Sequence, residues 1–181
     1  MPRGVSPSQL TSGRAGTVNG VLLRLARPDD AEATREIYNA EVTGSTVTFD
    51  LVPRSLAEQE AWLDQRSGAM AVVVAEVDGR IAGFSSLSPY RDRPAYATTV
   101  EDSVYVHTDF RGRGVGRALL AEVLEIASTR GFHAVMARIV GGHETSIGLH
   151  ESLGFRVVGT EVEVGRKFGR WLDVVLLQKL L

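Results

Sequence analysis

The stretch from Val100 to Thr129 constrains this chain more than any other. Val100 to His107 alternates apolar and polar residues with period two, which predicts a strand with Glu101, Ser103 and Tyr105 on one face. Val115 to Thr129 repeats Leu119, Leu120, Val123, Leu124 and Ala127 at three- and four-residue steps, which predicts a helix that Gly131 stops. Between them stands Arg111-Gly112-Arg113-Gly114-Val115-Gly116-Arg117. Alternating glycines let successive backbone N–H groups face one concavity. The start of a helix adds partial positive charge there, and Arg111, Arg113 and Arg117 add full charges. Strand, turn and helix in this order predict a sheet-and-helix fold that holds a diphosphate at a helix N-terminus.

Two kinds of diphosphate chemistry do not fit. A nucleotide-hydrolysing loop ends in Gly-Lys-Ser/Thr, whereas Gly116 is followed by Arg117-Ala118. A dinucleotide fingerprint needs its third glycine three residues after the second, where Arg117 stands, and no ribose-binding acid follows a parallel strand at the usual distance.

The remaining elements extend this unit. Val21 to Leu25 reads as a strand, and Asp29, supported by Glu32, caps a first helix running to about Ala40. Thr43 to Asp50 is a loop containing Phe49. Ser55 and Glu58 repeat the capping spacing ahead of a second helix. A strand from Ala71 to Val77 turns at Asp78-Gly79 into another over Arg80 to Leu87, followed by a polar loop, Ser88 to Thr98. After the long helix come a strand over His133 to Ile139 and a helix over Thr145 to Leu153, ended by Gly154. Two strands, near Phe155 to Val164 and Trp171 to Leu177, close the chain. The order β-α-α-β-β-β-α-β-α-β-β is that of an α/β (α+β mixed) fold, a mixed sheet flanked by helices.

Composition narrows the function. The 181 residues suit one domain. Residues 1–20, rich in Gly, Ser, Thr and Pro and lacking acids, read as a flexible N-terminal extension to a domain over residues 21–181. A net charge of −2 gives no basic field for nucleic acid. The absence of cysteine removes disulfides, thiolate metal ligands and an acyl-cysteine intermediate, and no metal is expected. No apolar run approaches the ~20 residues of a membrane helix, and no export signal is legible. A cytoplasmic protein is expected.

The blocks around the turn resemble the GCN5-related N-acetyltransferase (GNAT) family, whose Arg/Gln-x-x-Gly-x-Gly/Ala turn corresponds to Arg111 through Gly116. Thr99 to Val106, Gly148 to Phe155 and Lys167 to Asp173 are similar to the phosphinothricin and methionine sulfoximine acetyltransferase branch. So are Ile37-Tyr38-Asn39 and Ser45 to Phe49. The resemblance implies a GNAT-type, mostly antiparallel sheet, acetyl-CoA as co-substrate and a small-molecule amine as acceptor. It also implies a homodimer, through the Lys167 to Asp173 block. Val104, Tyr105, Val106, the turn from Arg111 to Arg117 and His143 are the implied cofactor contacts. His143 stands where the branch commonly carries Asn, and His150 where the wider family often has Tyr.

Acetyl transfer to an amine needs a base for the ammonium proton and an acid for the leaving thiolate. Glu101 is the candidate base, in a setting that Val100, Val104 and Val106 make partly dry. His150, with an ordinary pKa near neutrality, is the candidate acid. With no cysteine, direct attack in a ternary complex is the simplest course. Arg91 and Arg93 suit a carboxylate or phosphinate, with Lys167 and Phe49 as further substrate candidates. The alternatives are a peptide or protein N-acetyltransferase, for which an acidic groove is expected, and a non-catalytic acyl-CoA-binding sensor.

Overall fold

The computed structural model describes residues 16–18, 20–66 and 68–181. Eight strands form one sheet among these residues, in the spatial order β1-β2-β3-β4-β5-β6-β8-β7. They are β1 (Gly16–Val18), β2 (Val21–Leu25), β3 (Val72–Val77), β4 (Arg80–Pro89), β5 (Thr99–Val106), β6 (Ala134–Val140), β7 (Arg156–Lys167) and β8 (Arg170–Leu180). Four α-helices accompany them: α1 (Ala31–Gly44), α2 (Leu56–Asp64), α3 (Val115–Thr129) and α4 (Glu144–Glu151). Every strand pair is antiparallel except β5 with β6. The expected order holds, with one strand added at the start.

That strand falls inside the expected flexible extension. Gly16–Val18 pairs with Val21–Leu25, so the sheet begins before Val21. Residues 1–15 and Asn19 lie outside the described residues. The entry to α1 also differs from the sequence reading. A short 3-10 turn over Pro28–Asp30 comes first, and Asp30 rather than Asp29 caps the helix. The Asp30 carboxylate accepts from the Arg27 backbone N–H at 2.7 Å and from both terminal nitrogens of Arg24 at 2.7 and 2.8 Å. A bidentate guanidinium draws the acid inward, and only the strand-to-helix geometry brings Arg24 close enough to do so.

Other local signals are realised as chemistry requires. Ser55 Oγ accepts from the Glu58 N–H at 3.3 Å, and Glu58 Oε2 accepts from the Ser55 N–H at 2.7 Å. Asp78 and Gly79 both have positive φ, 50° and 74°, the two-residue turn whose twist matches the strands it joins. Phe168 and Gly169, at 50° and 74°, repeat that turn between β7 and β8.

The helix α3 lies on the face of the sheet formed by β2 to β5. Its buried Val115 and Leu119 pack with Val21, Leu23, Val73, Ala75 and Ala82. The approach is close at β4, where Ser85 Oγ donates to the Leu119 carbonyl at 3.0 Å. A Cβ on Gly83 would meet the Tyr105 carbonyl oxygen at 2.6 Å and a Leu119 methyl at 3.1 Å, so glycine is required there. On the opposite face, Tyr38 of α1, Tyr105 of β5 and Phe84 of β4 form a ladder with ring centroids 5.2 Å apart at each step. The strand β5 is therefore clamped from both sides, which fixes the direction of every side chain along it.

Candidate active site

The strands β5 and β6 pair only at Thr99, Val100 and Glu101 with Ala134, Val135 and Met136, although β5 continues to Val106 and β6 to Val140. On its outer edge β5 stays paired with β4 as far as Val106, and β6 stays paired with β8 as far as Val140. The inner edges beyond Glu101 and Met136 therefore separate without a strand between them. An open cleft of about 850 Å³ occupies this parting, bounded by both strands, the glycine turn and α4. Unpaired strand edges suit an extended ligand that carries amides, because its N–H and C=O groups can continue the ladder.

The glycine turn closes one end. Gly112 and Gly114 have φ of 74° and 81°, left-handed backbone that favours glycine, and Gly114 is the N-cap of α3. No acidic residue stands in the first turn of α3. Of the residues expected at the cofactor, Val104, Tyr105, Val106, Arg111, Gly112, Gly114, Val115, Gly116, Arg117 and His143 line the cleft. Arg113 is not among the lining residues, and its guanidinium stands over the Phe110 ring at 5.4 Å.

Two of the arginines hold protein partners. Arg111 donates to the Glu41 carboxylate on α1 and to the Val106 carbonyl at 3.2 Å. Arg117 donates to Ser152 Oγ at the end of α4, at 2.6 Å. A phosphate arriving at the turn would compete with these acceptors. His143 is the N-cap of α4, and burial lowers its pKa, with Glu41 opposing and Arg111 assisting.

Glu101 is the last β5 residue paired with β6, next to the parting, but unlike Asp102 it is not among the residues that line the cleft. Burial raises its pKa; Arg138 works against that, while Asp102 and Glu161 add to it. A raised pKa makes the carboxylate a stronger base. His150 is almost wholly buried at the wall of the cleft. Its Nδ1 meets the Ser146 carbonyl at 2.7 Å and its Nε2 meets Asp102 Oδ2 at 3.1 Å. Burial lowers the imidazole pKa, but the hydrogen bond and charge of Asp102, with the Ser146 carbonyl, outweigh it, so the net shift is upward.

The four expected substrate contacts lie outside the lining of this cleft. Arg91 and Arg93 are exposed beyond β4, with Arg91 over the rings of Tyr90 and Tyr96 at 5.0 and 5.8 Å. Lys167 is buried, and its ammonium donates to the Thr48 carbonyl at 2.8 Å and the Glu41 carbonyl at 3.4 Å. Phe49 lies on Gly165, where a Cβ would come within 2.1 Å of its ring. Both residues pin the loop between α1 and α2 onto β7, and Gly44 at the end of α1 and Ser45 to Val47 of the loop line the cleft.

Sequence reasoning missed Asp102, Glu41 and Arg138. Asp102 alternates away from the face that carries Glu101, and its partner is 48 residues on. Glu41 meets Arg111 across 70 residues. Arg138, also in the cleft wall, pairs with Glu161 of β7 at 2.7 Å. No local pattern encodes any of these pairings.

A parallel pair that parts beside a glycine turn at a helix start defines the class, and comparison with known proteins agrees. Residues 32–155 match the Acetyltransferase (GNAT) family. The chain belongs to that family and is an acetyl-CoA-dependent N-acetyltransferase. It is 39% identical over 158 residues, 86% of this chain and 92% of the other, to the L-methionine sulfoximine/L-methionine sulfone acetyltransferase of Pseudomonas aeruginosa. Among solved structures, a GNAT superfamily phosphinothricin acetyltransferase from Sinorhizobium meliloti, in complex with acetyl-CoA, superposes with a TM-score of 0.87. It shares 36% identity, with 90% of this chain and 89% of that one covered. A ribosomal-protein-alanine N-acetyltransferase from Brucella melitensis also gives 0.87, at 40% identity and 88% and 99% coverage.

The geometry of the turn generates a prediction. Gly114→Asp combines left-handed strain with a negative charge at the α3 N-terminus. It is expected to weaken acetyl-CoA binding at least tenfold, about 1.4 kcal/mol, as read by isothermal titration calorimetry. An unchanged affinity would remove the turn as the phosphate site.

Proposed function

We propose that the acetyl acceptor is the α-amine of a small amino acid or analogue of the methionine sulfoximine and phosphinothricin type, with Glu101 as the base. The observation that carries this reading is the half-buried Glu101 carboxyl on β5 next to the point where β5 and β6 part, with its pKa raised by burial. The charges around it support a carboxylate-bearing acceptor. Arg138 and Arg170 line the cleft beside Arg111 and Arg117, against the acids Glu41 and Asp102. The similarity to the methionine sulfoximine and phosphinothricin enzymes points the same way.

In this reading Gly112, Gly114 and the α3 N-terminus hold the diphosphate of acetyl-CoA, and the open edges of β5 and β6 hold its amide-bearing arm. The bound co-substrate supplies an activated acyl group. Glu101 takes the ammonium proton and frees the nitrogen lone pair for attack. A backbone N–H near Val106 faces the acyl oxygen, and His150 supplies the acid for the leaving sulfur. Arg91 and Arg93 are proposed to hold the acceptor's acidic groups. Lys167 and Phe49 act through the loop they anchor.

The similarity to a ribosomal-protein-alanine N-acetyltransferase supports a second reading, a peptide N-terminus as acceptor. A homodimer through the edge strand β7 is also proposed. That strand exposes Val158, Val162 and Val164, with Phe168 and Trp171 exposed beside it, a row of apolar side chains that a second copy would cover. The cytoplasm is the proposed location. Among the described residues no helix is long and apolar enough to cross a membrane.

Thiol release from acetyl-CoA, measured across methionine sulfoximine, phosphinothricin, free amino acids and short peptides, tests the acceptor. Turnover confined to the amino-acid compounds is expected. Turnover confined to peptides would establish the second reading, and none at all would leave an acyl-CoA sensor. Sedimentation velocity should show a dimer that Val162→Glu with Trp171→Glu dissociates; a wild-type monomer would end the dimer reading.

Glu101→Gln is expected to lower turnover by ~10²-fold or more at pH 7, with the deficit narrowing toward pH 9 as the free amine becomes abundant. A full rate at pH 7 would exclude Glu101. The raised pKa also fixes a sign for stability. The folded state favours the protonated carboxyl, so this group stabilises the fold as pH falls through the folded value and destabilises it once ionised. At pH 7 the glutamine variant should melt no lower than the wild type in a calorimetric scan.

A further inference from the structure

The Asp102 and His150 side chains form a hydrogen-bonded pair in the wall of the cleft, with side-chain exposures of 1% and 3%. Each partner of the imidazole dictates a proton. The Ser146 carbonyl can only accept, so Nδ1 carries a hydrogen. Nε2 meets Asp102 Oδ2, so one hydrogen lies between them. The hydrogen bond and charge of Asp102 favour the charged form of the ring. Asp102 Oδ1 has no hydrogen-bond partner among the described residues, although it is buried. A buried, half-satisfied carboxylate is costly to a fold.

Resting on the acetyltransferase reading above, we propose that Asp102 is a positioning residue that keeps His150 charged with the proton the departing thiolate takes. The amine nitrogen bonds to the acyl carbon while the carbon–sulfur bond breaks; Glu101 holds the proton the ammonium gave up before attack, and the second nitrogen proton, shed as the amide forms, passes to water. The sulfur leaves with the electron pair of the broken bond, replaces Asp102 Oδ2 as the acceptor of the Nε2 hydrogen, and takes that proton. His150 is then neutral and still anchored through its Nδ1 hydrogen to Ser146. Water returns a proton to the ring when the products leave, and the Asp102 carboxylate makes that reprotonation favourable by restoring the ion pair.

The charged groups on the elements packed against α4 are few. Asp102 comes from β5, Arg138 lines the same cleft from β6, and Arg117 reaches Ser152 from α3. The helix itself adds Glu144 and Glu151, and His143 caps it. Of these, Asp102 is the one hydrogen-bonded to the imidazole among the described residues. Its removal should therefore return the ring to the downward influence of burial. The same pair stabilises the fold fully below the ordinary histidine value of about 6.5, and that contribution is lost as pH climbs through the raised folded value.

The test is Asp102→Asn, read by the pH profile of kcat and by nuclear magnetic resonance titration of the His150 ring in the full chain. In the wild type the ring should titrate above about 6.5, and the alkaline limb of kcat should follow it. In the variant both should move to lower pH by at least one unit, with kcat at pH 8 reduced ~10-fold or more. An unmoved alkaline limb, whether or not the melting temperature falls, would reduce Asp102 to a structural role and overturn the proposal. Should the variant fail to fold, the wild-type titration still decides, because a ring that titrates at or below about 6.5 does not hold the proton. Failure of the acetyltransferase reading would look different: no thiol release from the wild type with any amine, whatever the ring titration shows.

Discussion

The structure depends on the parting of β5 from β6. Two neighbouring parallel strands with apolar faces would ordinarily pair along their whole length, since each unmade ladder bond leaves a donor and an acceptor without a partner. Here pairing stops at Glu101 and Met136. What holds the strands apart is their commitment on the other side. Ladders to β4 and β8 continue past the point of separation, and α3 packs over Ala82 of β4 while Phe84 and Tyr105 stack on the opposite face. The sheet divides into two halves joined where β5 and β6 pair, and the candidate functional groups cluster around the opening.

The vertex explains why three chemistries meet in one small region. The alternation of β5 sends Glu101 to one face and Asp102 to the other, so a half-buried carboxyl and a buried carboxylate–imidazole pair flank the same short length of backbone. The glycine turn begins a few residues past the end of β5, so the anion-binding N-terminus of α3 faces the same opening. Distance along one strand thus sets the separation between the turn proposed to hold phosphate and the groups proposed to handle protons.

Charge organises the outer wall. Arg111 is tied to Glu41 across the mouth of the cleft, and Lys167 ties the neighbouring loop to β7 through two carbonyls. Burial lowers the Lys167 pKa, with Asp50 and Glu41 opposing, and its ammonium donates to the Thr48 carbonyl of the loop and the Glu41 carbonyl of α1. A lysine that the sequence places near the acceptor therefore acts at one remove, by fixing Gly44 to Val47 at the cleft.

Local chemistry was largely legible from residue order. The 15-residue helix α3, the Ser55 and Glu58 capping box, the Asp78-Gly79 turn and the glycine turn all follow from interactions within a few residues, which act wherever the chain folds. The resemblance of several blocks to one family carried the activity and the co-substrate. Pairing across the sheet was decided by tertiary structure: the Arg24 and Asp30 fork, the Glu41 and Arg111 bridge, the Asp102 and His150 pair, and the early strand Gly16–Val18. Periodicity states which face a side chain takes but not which distant residue it meets there. That meeting depends on the order of strands in the sheet and on where β5 and β6 cease to pair. The sequence by itself determined the turn, the helix behind it and the residue types able to move protons. Only the folded chain decided that His150 would be held by a carboxylate and that Lys167 would be spent on a loop, because burial and partner choice are properties of the packed sheet.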